Sequence, residues 1–492
     1  MEKEFDPGSA GDPGPSGRYS GLGREELWGE LRERDSLIRG LVEGRLEEER
    51  LRPVESSILV DPGYIFEDGR FWAVRLADEI VGQLPEGFLV TPVTRRGGDV
   101  IWRYDEGRGV FRPDGIPWVY TRVKGILGDE NASSRMSETV KQIMVETYDF
   151  GDSLRREHSL NIVVVENGAL DIFTGELHPF SPLYRAKNRL PVRYDPEAEC
   201  PEFRRFLGEV HHPGDLAFIQ EWWGYHLYRE YRYHKAVMFM GEGMNGKSTE
   251  LNALQRFLGE ENTSSETLYS LVSNRFSPGN LYGKLANIAP DLAPDEIRRT
   301  GPFKALTGND RIRGEHKFEQ PFQFRNHAKL SFSCNQMPTT PDNTQAFFRR
   351  WEIINFPNTF TEGDPDKLEK ITTPEELSGI LNWALEGLHR LLEEGGFTRT
   401  RSTEEIASEW REKSNPVRSF HENCLRKDPD GVTPKDVMYH AYSSYCRARG
   451  FTKEIKQQLT VKLKEVEPLL KEGRRTLPGY EKRTTCWLGT TL

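Results

Sequence analysis

Residues 236–258 read AVMFMGEGMNGKSTELNALQRFL, and the order of parts in that stretch decides the fold. Ala236 to Met240 is apolar and uncharged, the pattern of a buried strand. Gly241, Gly246, Lys247 and Ser248 then complete G-x-x-x-x-G-K-[ST], a P-loop. Each residue type has a reason to be there. Glycines let successive backbone N–H groups close around phosphate oxygens, Lys247 supplies a point charge near the β and γ phosphates, and Ser248 offers its hydroxyl to Mg²⁺. Beyond Thr249 the apolar residues fall at 251, 254, 257 and 258, one face of a helix, with Gly259 as a stop signal. A helix that starts here aims its dipole at the anion. A glycine-rich turn that matched by chance would not bring strand, loop and helix in the required order. The loop Gly241, Glu242, Gly243, Met244, Asn245, Gly246, Lys247, Ser248 and Thr249 is therefore expected to hold a nucleoside triphosphate.

Length and composition bound the rest. A chain of 492 residues is too long for one core and fits about three domains. With 36% hydrophobic and 29% charged residues it reads as soluble and globular, and no window reaches the ~18 uninterrupted apolar residues of a membrane span. The N-terminus, MEKEFDPGSAGDPG, lacks the apolar core of a signal peptide. The expectation is a cytoplasmic protein with no membrane partner. Five dispersed cysteines (200, 334, 424, 446 and 486) show neither C-x-x-C nor a matching histidine pair, so neither a disulfide framework nor a zinc site is indicated. A net charge of −10 argues against coating DNA with the whole surface but leaves room for local basic patches.

Taken in order, residues 1–23 are rich in Gly, Pro and Ser and are expected to be disordered. Arg24 to Leu51 fits a charged helix with Leu27, Leu31, Ile38, Leu41, Val42 and Leu46 near one face. Arg34, Arg45 and three glycines interrupt that seam, which favours a docked helix over a coiled coil. Residues 53–204 are mixed: strands at Val100–Tyr104 and Ile162–Val165, a helix over 137–147, and a hairpin signal at Asn167-Gly168. Grouped carboxylates able to hold two metals, as polymerase-type priming requires, are not visible there. Residues 215–235 carry Phe218, Trp222, Trp223, Tyr225, Tyr228, Tyr231 and Tyr233. Aromatic rings can stack on unpaired bases, but at helical spacing just before a nucleotide-binding strand, packing is the better reading.

Downstream, the small and apolar run Leu281 to Leu292 leads to Asp291, placed where a Walker B carboxylate would hold Mg²⁺ and polarise water. A turn at Thr307–Asp310 follows, and two β-prone segments flank Gly314-Glu315-His316-Lys317, which reads as a hairpin with a basic tip. Lys329 to Cys334 is a third apolar strand ending at Asn335, whose amide is placed to orient the hydrolytic water or touch the γ phosphate. Phe347-Phe348-Arg349-Arg350-Trp351 sets two guanidinium groups before another strand, and arginine can clamp a transferring phosphoryl group across a subunit boundary.

The series Lys247, Asp291, Asn335 and Arg349/Arg350 resembles the superfamily III helicases of viruses and plasmids, most of all the phage and plasmid primase-helicase family that includes the poxvirus primase-helicase. The matching phrases are GEGMNGKST, NIAPDL, FKALTGND, EHKFEQPFQFRNHAKLSFSCNQMP and FFRRWEIINFP. VVVENGALDIFTGELHPFSP and LPVRYDPEAECPEF through EWWGYHLY are similar to the segment preceding the ATPase in that family, and Tyr442 to Leu492 to its C-terminal winged helix, so the likeness covers residues 70–490. It implies an α/β protein: an AAA+ ATPase core (236–400) after a disordered tail and charged helix (1–52), a mixed α/β domain (53–204) and a helical collar (205–235), and before a winged-helix-like domain (401–492). It further implies ATP and Mg²⁺ as cofactors, homo-hexameric rings, movement on single-stranded or forked DNA in the 3′ to 5′ sense, and a separate primase or polymerase as partner. Carried over by position, Lys247 and Ser248 bind phosphate and metal, Asp291 is the Walker B acid and second metal holder, and Asn335 is the sensor. Arg349 or Arg350, with Arg350 favoured, is the finger that reaches a neighbour's ATP, and His316 and Lys317 grip DNA in the channel. The chain departs from the family in three places. Asp291 has no adjacent second acid, leaving Asp295, Glu296 or another group as general base; GND stands where GGD is common; and the N-terminus is short for a fused primase domain.

Two other classes compete. An ATP-controlled DNA-binding initiator or loader would use the basic residues of 453–483, including Lys453, Lys456, Lys462, Lys464, Arg474, Arg475, Lys482 and Arg483, on duplex phosphate, against their plainer reading as a charged helical surface. A small-molecule kinase is disfavoured because no acceptor-pocket motif is present and the distal arginines suit an oligomeric ATPase.

Overall fold

The computed structural model describes residues 62–84, 86–91, 100–149, 154, 161–290, 292, 297–317, 321–398, 401–449, 451, 453–479 and 482–492. The expected tail and helix over 1–51, and the carboxylates Asp291, Asp295 and Glu296, lie outside them.

Three amphipathic helices, α1 (Ala73–Gly82), α2 (Gly115–Leu127) and α3 (Ser133–Glu146), share a core with the antiparallel strands β1 (Phe88–Thr91) and β2 (Val100–Asp105), and β3 (Val110–Arg112) pairs with β2 on its other side. The helix expected over 137–147 starts four residues earlier, at Ser133, and closes against that core through Val140 and Ile143. β4 (Ile162–Val165) and β5 (Gly168–Asp171) form the expected hairpin, paired Val165 to Gly168. Its Asn167 is fixed by exchanging hydrogen bonds of 2.9 Å each with the backbone N–H and C=O of Tyr194.

The aromatic cluster is core. In α4 (Pro201–Val210) and α5 (Leu216–Tyr225), Phe203, Trp222 and Trp223 are fully buried, with the Phe203 and Trp223 rings 4.7 Å apart. Trp222 Nε1 donates to Ser331 Oγ at 3.0 Å, which ties this helical layer to the sheet beneath it.

That sheet has five parallel strands. β6 (Ala236–Met240) is followed by α6 (Lys247–Leu258), β7 (Thr263–Ser264), β8 (Ala286–Ala289), α7 (Gly301–Leu306), the antiparallel hairpin β9 (Arg311–Gly314) and β10 (Phe322–Arg325), then β11 (Lys329–Cys334), α8 (Gln345–Phe348) and β12 (Trp351–Asn355). The spatial order is β7-β8-β11-β6-β12, and β9-β10 stands apart as its own ribbon. Side chains alternate between the two faces of a strand, so Val237 and Phe239 of β6 enter one apolar cluster while Ala236, Met238 and Met240 enter another. Both faces are covered, which is why β6 tolerates no charge. α4, α5, α6 and α9 (Pro374–Glu394) cover the first face. Trp410 of α10 (Thr403–Ser414) helps close the second and donates Nε1–H to the Pro338 carbonyl at 2.9 Å.

The last part has its own core of Val417, Phe420, Met438, Tyr442, Leu463 and Trp487. It joins α11 (Pro416–Cys424), β13 (Arg426–Pro434), α12 (Lys435–Arg449), α13 (Lys456–Val466), β14 (Lys471–Arg475) and β15 (Thr484–Thr491) in an antiparallel sheet ordered β13-β15-β14. The helix expected over Val461–Leu470 runs over Lys456–Val466 instead, because Pro468 cannot continue it. No helix among the described residues is long and apolar enough to cross a membrane.

Candidate functional site

The glycine-rich loop leaves the C-terminal end of β6, an interior strand between β11 and β12, where parallel sheets place their ligand crevices. Gly243, Met244 and Gly246 all have positive φ (+105°, +46° and +90°), a conformation that turns neighbouring backbone N–H groups into a common concavity. Gly246 is irreplaceable twice over: its φ suits glycine, and a Cβ there would stand 2.6 Å from Val210 Cγ1 of α4.

Lys247 opens α6 and is buried, yet its ammonium is held by three oxygens from two segments, the loop itself and the residue that follows β11. It donates to the Gly241 carbonyl, to Asn245 Oδ1 at 3.3 Å and to Asn335 Oδ1 at 3.4 Å. Asn245 Oδ1 also accepts from the Lys247 backbone N–H at 3.4 Å. Two residues paired only by sequence reasoning, Lys247 and Asn335, thus meet across the sheet because β6 and β11 are adjacent and in register, with Met240 beside Cys334. Ser248 is exposed in the first helical turn and Thr249 half-buried behind it.

Behind the loop lies a contact that sequence reasoning missed. His211, at the end of α4, donates Nε2–H to Glu250 Oε2 at 2.6 Å, with side-chain exposures of 0% and 2%. The His211 ring packs 4.5 Å from Phe356 just past β12, so helix, loop and sheet meet at this pair. A signal existed: Glu250 lies on the same face as Leu254 and Phe257, and a carboxylate in an apolar stripe needs a buried partner.

The arginine pair occupies the opposite edge of the sheet. Ala236 N–H, at the start of β6, donates to the Arg350 carbonyl at 2.7 Å. At roughly 3.3 Å per residue, the length of β6 separates this edge from the loop by about 16 Å. Arg349 is exposed; Arg350 is buried and donates to the Ala346 carbonyl. Burial and the adjacent Arg349 hold Arg350 below the ordinary arginine range, against the pull of Asp310. His234 is depressed by burial and then by both arginines. The loop leading into α8 is pinned through Asp342, which takes Lys304 Nζ at 2.7 Å and the Thr344 N–H at 2.8 Å. Burial opposes ionisation there, but those bonds hold Asp342 well below the carboxylate range.

The β9-β10 hairpin forms as expected, with Glu315, His316 and Lys317 following its first strand, while residues 318–320 of its turn lie outside the described residues. Lys317 is exposed and the His316 ring lies 5.6 Å from Phe322. Glu315 pairs with Arg313 at 3.2 Å and Arg275 at 3.6 Å, while Tyr282 packs against Phe322 and Phe324, fixing the base of the ribbon. Elsewhere, a surface cavity of about 650 Å³ near the far end of α6 is lined by Arg108, Glu166, Arg189 and Glu261; Arg108 and Glu261 neutralise each other across it. Among the described residues no three His, Cys, Asp or Glu side chains are grouped to hold a metal.

Three family models match the chain: one described as D5 N terminal like over residues 93–212, one described as a family of unknown function (DUF5906) over 239–350, and one described as poxvirus D5 protein-like over 412–486. The chain is similar to "Putative helicase 022R" of Frog virus 3 (isolate Goorha), 24% identical over 275 residues, a match spanning 50% of this chain and 28% of the relative. It is also similar to "Putative helicase L207/L206" of Acanthamoeba polyphaga mimivirus, 29% identical over 128 residues, or 24% of this chain and 13% of the relative. The chain therefore spans little more than a quarter of the first curated relative and about an eighth of the second. Among solved structures, the apo C-terminal region of NrS-1 aligns with 86% of this chain and 100% of that one at 15% identity and a TM-score of 0.41. An A form of the same region aligns with 61% of this chain and 77% of that one at 14% identity and a TM-score of 0.35.

Proposed function

The chain belongs to the D5-like primase-helicase family, and from that premise we propose that it is an ATP-dependent DNA helicase of superfamily III. In this reading 236–400 is an AAA+ core, 53–204 and 205–235 are the domain and collar before it, and 401–492 is a winged-helix-like domain. The three-stranded sheet with α11 to α13 supports the last assignment. One observation carries the proposal: Lys247 is held between the loop and Asn335 at the C-terminal end of a parallel sheet, while both arginines stand at the other end.

The residues present fit a nucleoside triphosphate with its metal. Successive positive φ angles curve the loop, a Cβ at Gly243 would meet nothing within 4 Å, and Ser248 is exposed. Lys247 would exchange its amide and carbonyl oxygens for β and γ phosphate oxygens, and Asn335, already within reach of Lys247, would align the attacking water. Ser248 and Asp291 would hold Mg²⁺, which would neutralise charge on the phosphates. The arginines are too far from their own loop to serve it, so they act on a neighbour's, which requires a ring; exposed Arg349 is the freer to reach out, and Arg350 backs it. Lys317 and His316, at the ribbon turn, would contact the single strand inside that ring.

Strand displacement on duplexes with opposite single-stranded tails, alongside particle counting in electron micrographs, tests this. Six-membered rings that unwind the 3′-tailed substrate are expected. A lone protomer under every nucleotide and DNA condition, with hydrolysis indifferent to DNA, would end the proposal.

A further inference from the structure

Between β7 and the short helix Leu268–Ser273 the chain reads Ser265-Glu266-Thr267, and Glu266 is tied in two directions. Its backbone is locked to β8. Asn287, fully buried opposite Ser264, accepts the Glu266 N–H at 2.8 Å and the Ser264 hydroxyl at 2.7 Å on Oδ1, and donates Nδ2–H to the Glu266 carbonyl at 2.9 Å. Its carboxylate holds the chain that follows: Oε2 accepts from Ser270 Oγ at 2.6 Å and Oε1 from Asn280 Nδ2 at 2.7 Å. Burial opposes ionisation there, yet these donors and the buried Ser277 hydroxyl hold the carboxyl below the ordinary carboxylate range. One side chain thus binds the helix Leu268–Ser273 to the 3-10 turn Ser277–Leu281. That turn lies against the hairpin. A Cβ on Gly279 would stand 2.9 Å from the Glu315 carbonyl oxygen and 3.1 Å from the Glu315 nitrogen, an approach that only glycine allows. On either side of it, Arg275 reaches Glu315 at 3.6 Å and Tyr282 packs on Phe322 and Phe324.

We propose that Glu266 is a positioning residue: it braces the β9-β10 hairpin against β8, so that a strand held at His316 and Lys317 acts on the ATP site through it. The two ends of this route, nucleotide and strand, rest on the helicase reading; the brace between them rests on the bonds just described. Asn287 stands four residues before Asp291 in the chain, and Glu315 directly precedes His316 and Lys317, so the brace begins and ends beside the groups it would connect. The hairpin strands pair with each other and form a sheet separate from the five-stranded one, so side chains and close backbone packing fix where the hairpin stands. Hydrogen bonds to a carboxylate are short and directional, and a shift of the 3-10 turn breaks them instead of stretching them. Glu266 touches neither nucleotide nor DNA; it acts through the turn.

Amide hydrogen exchange of the full-length, nucleotide-free protein, read by mass spectrometry, tests the brace without invoking unwinding. Glu266→Ala is expected to raise exchange over 275–282 and 311–325 and to leave 236–258 as in the wild type. ATP hydrolysis with and without a single-stranded oligodeoxynucleotide tests the coupling. In Glu266→Ala the stimulation by the oligonucleotide should fall at least about fivefold, the lower end of coupling between distinct sites, while hydrolysis without DNA stays within about twofold. Adding Lys317→Ala should then lower the stimulation no further, because both residues lie on one route. Glu266→Gln keeps the length and an acceptor oxygen for Asn280, and should recover most of the stimulation. Asn280→Ala, at the exposed end of the same bond, should repeat the Glu266→Ala pattern at smaller size, which keeps the test decisive if Glu266→Ala misfolds. Unchanged exchange at the hairpin, exchange raised equally over 236–258, or a loss that simply multiplies with that of Lys317→Ala would each overturn the assignment. DNA-stimulated wild type beside equally stimulated Glu266→Ala and Asn280→Ala would overturn the coupling and leave the helicase reading standing. A wild type whose hydrolysis ignores DNA would overturn both, and raised hairpin exchange would then uphold the brace alone.

Discussion

Lys247 Nζ lies 3.4 Å from Asn335 Oδ1, although 88 residues separate the two in the chain. The contact exists because β6 and β11 are parallel neighbours whose C-terminal ends are level, so the loop after one strand and the first residue after the other face the same crevice. Strand-end amide and loop ammonium form one unit, and they should fail in different ways.

Asn335→Ala is expected to lower the rate of ATP hydrolysis by about 10²-fold or more while leaving nucleotide affinity within a few-fold, since a polar group that aligns the reacting atoms contributes mainly in the transition state. Single-turnover hydrolysis beside fluorescent-nucleotide titration separates the two quantities. Equal losses in both would make Asn335 a binding group.

His211→Ala leaves Glu250 buried without its partner. The protein should lose about 3 kcal/mol of stability in denaturant unfolding. Nucleotide affinity should fall as well, because Glu250 is one turn from Lys247 on α6. Unchanged stability would mean that water or a rearranged side chain replaces the imidazole.

His226 gives a pH dependence with a definite sign. Burial, and then the nearby Lys329, depress it to about 3, and its Nδ1–H donates to the Trp222 carbonyl at 2.7 Å. A histidine that stays neutral when folded and titrates near 6.5 when unfolded draws protons to the unfolded state as pH falls. Its full contribution is present above pH 6.5 and is lost towards pH 3, at up to about 1.4 kcal/mol per pH unit. The stability gap between wild type and His226→Gln should therefore narrow by about 2 kcal/mol between pH 7 and pH 5. A gap independent of pH would show that the ring is protonated or hydrated in the fold.

The arginine pair should act between protomers. Mixing wild type with Arg349→Ala is expected to depress hydrolysis more than in proportion to the variant's share, because each inactive finger disables a neighbour's site. Arg350→Ala, which removes a buried group bonded to the Ala346 carbonyl, should do so with a drop in melting temperature as well. Strict proportionality for both variants would place each arginine's role within its own protomer.

How much of this was readable beforehand varies with the range of the interaction. The strand, loop and helix of 236–258 and the ribbon around Glu315 to Lys317 follow from local patterns and stand where those patterns place them. The aromatic run of 215–235 also packs as expected, Trp222 and Trp223 being fully buried. The His211–Glu250 bond was not readable, because its partners are 39 residues apart and nothing in either local pattern names the other. Nor was the pairing of Lys435 and Lys464 with Glu472, which depends on β14 lying beside α12 and α13. The difference between Arg349 and Arg350 belongs to the same class. Adjacent in sequence, they diverge at the end of a short helix, and only the fold decides which one is covered.

The most direct test is strand displacement on a forked duplex by wild type and Lys247→Ala, run with ATP and Mg²⁺. Wild-type protein should separate the strands only when ATP is hydrolysed, and the variant should bind the fork yet leave it intact. Separation by Lys247→Ala at the wild-type rate, or none by the wild type while it hydrolyses ATP at a rate unaffected by DNA, would contradict the account.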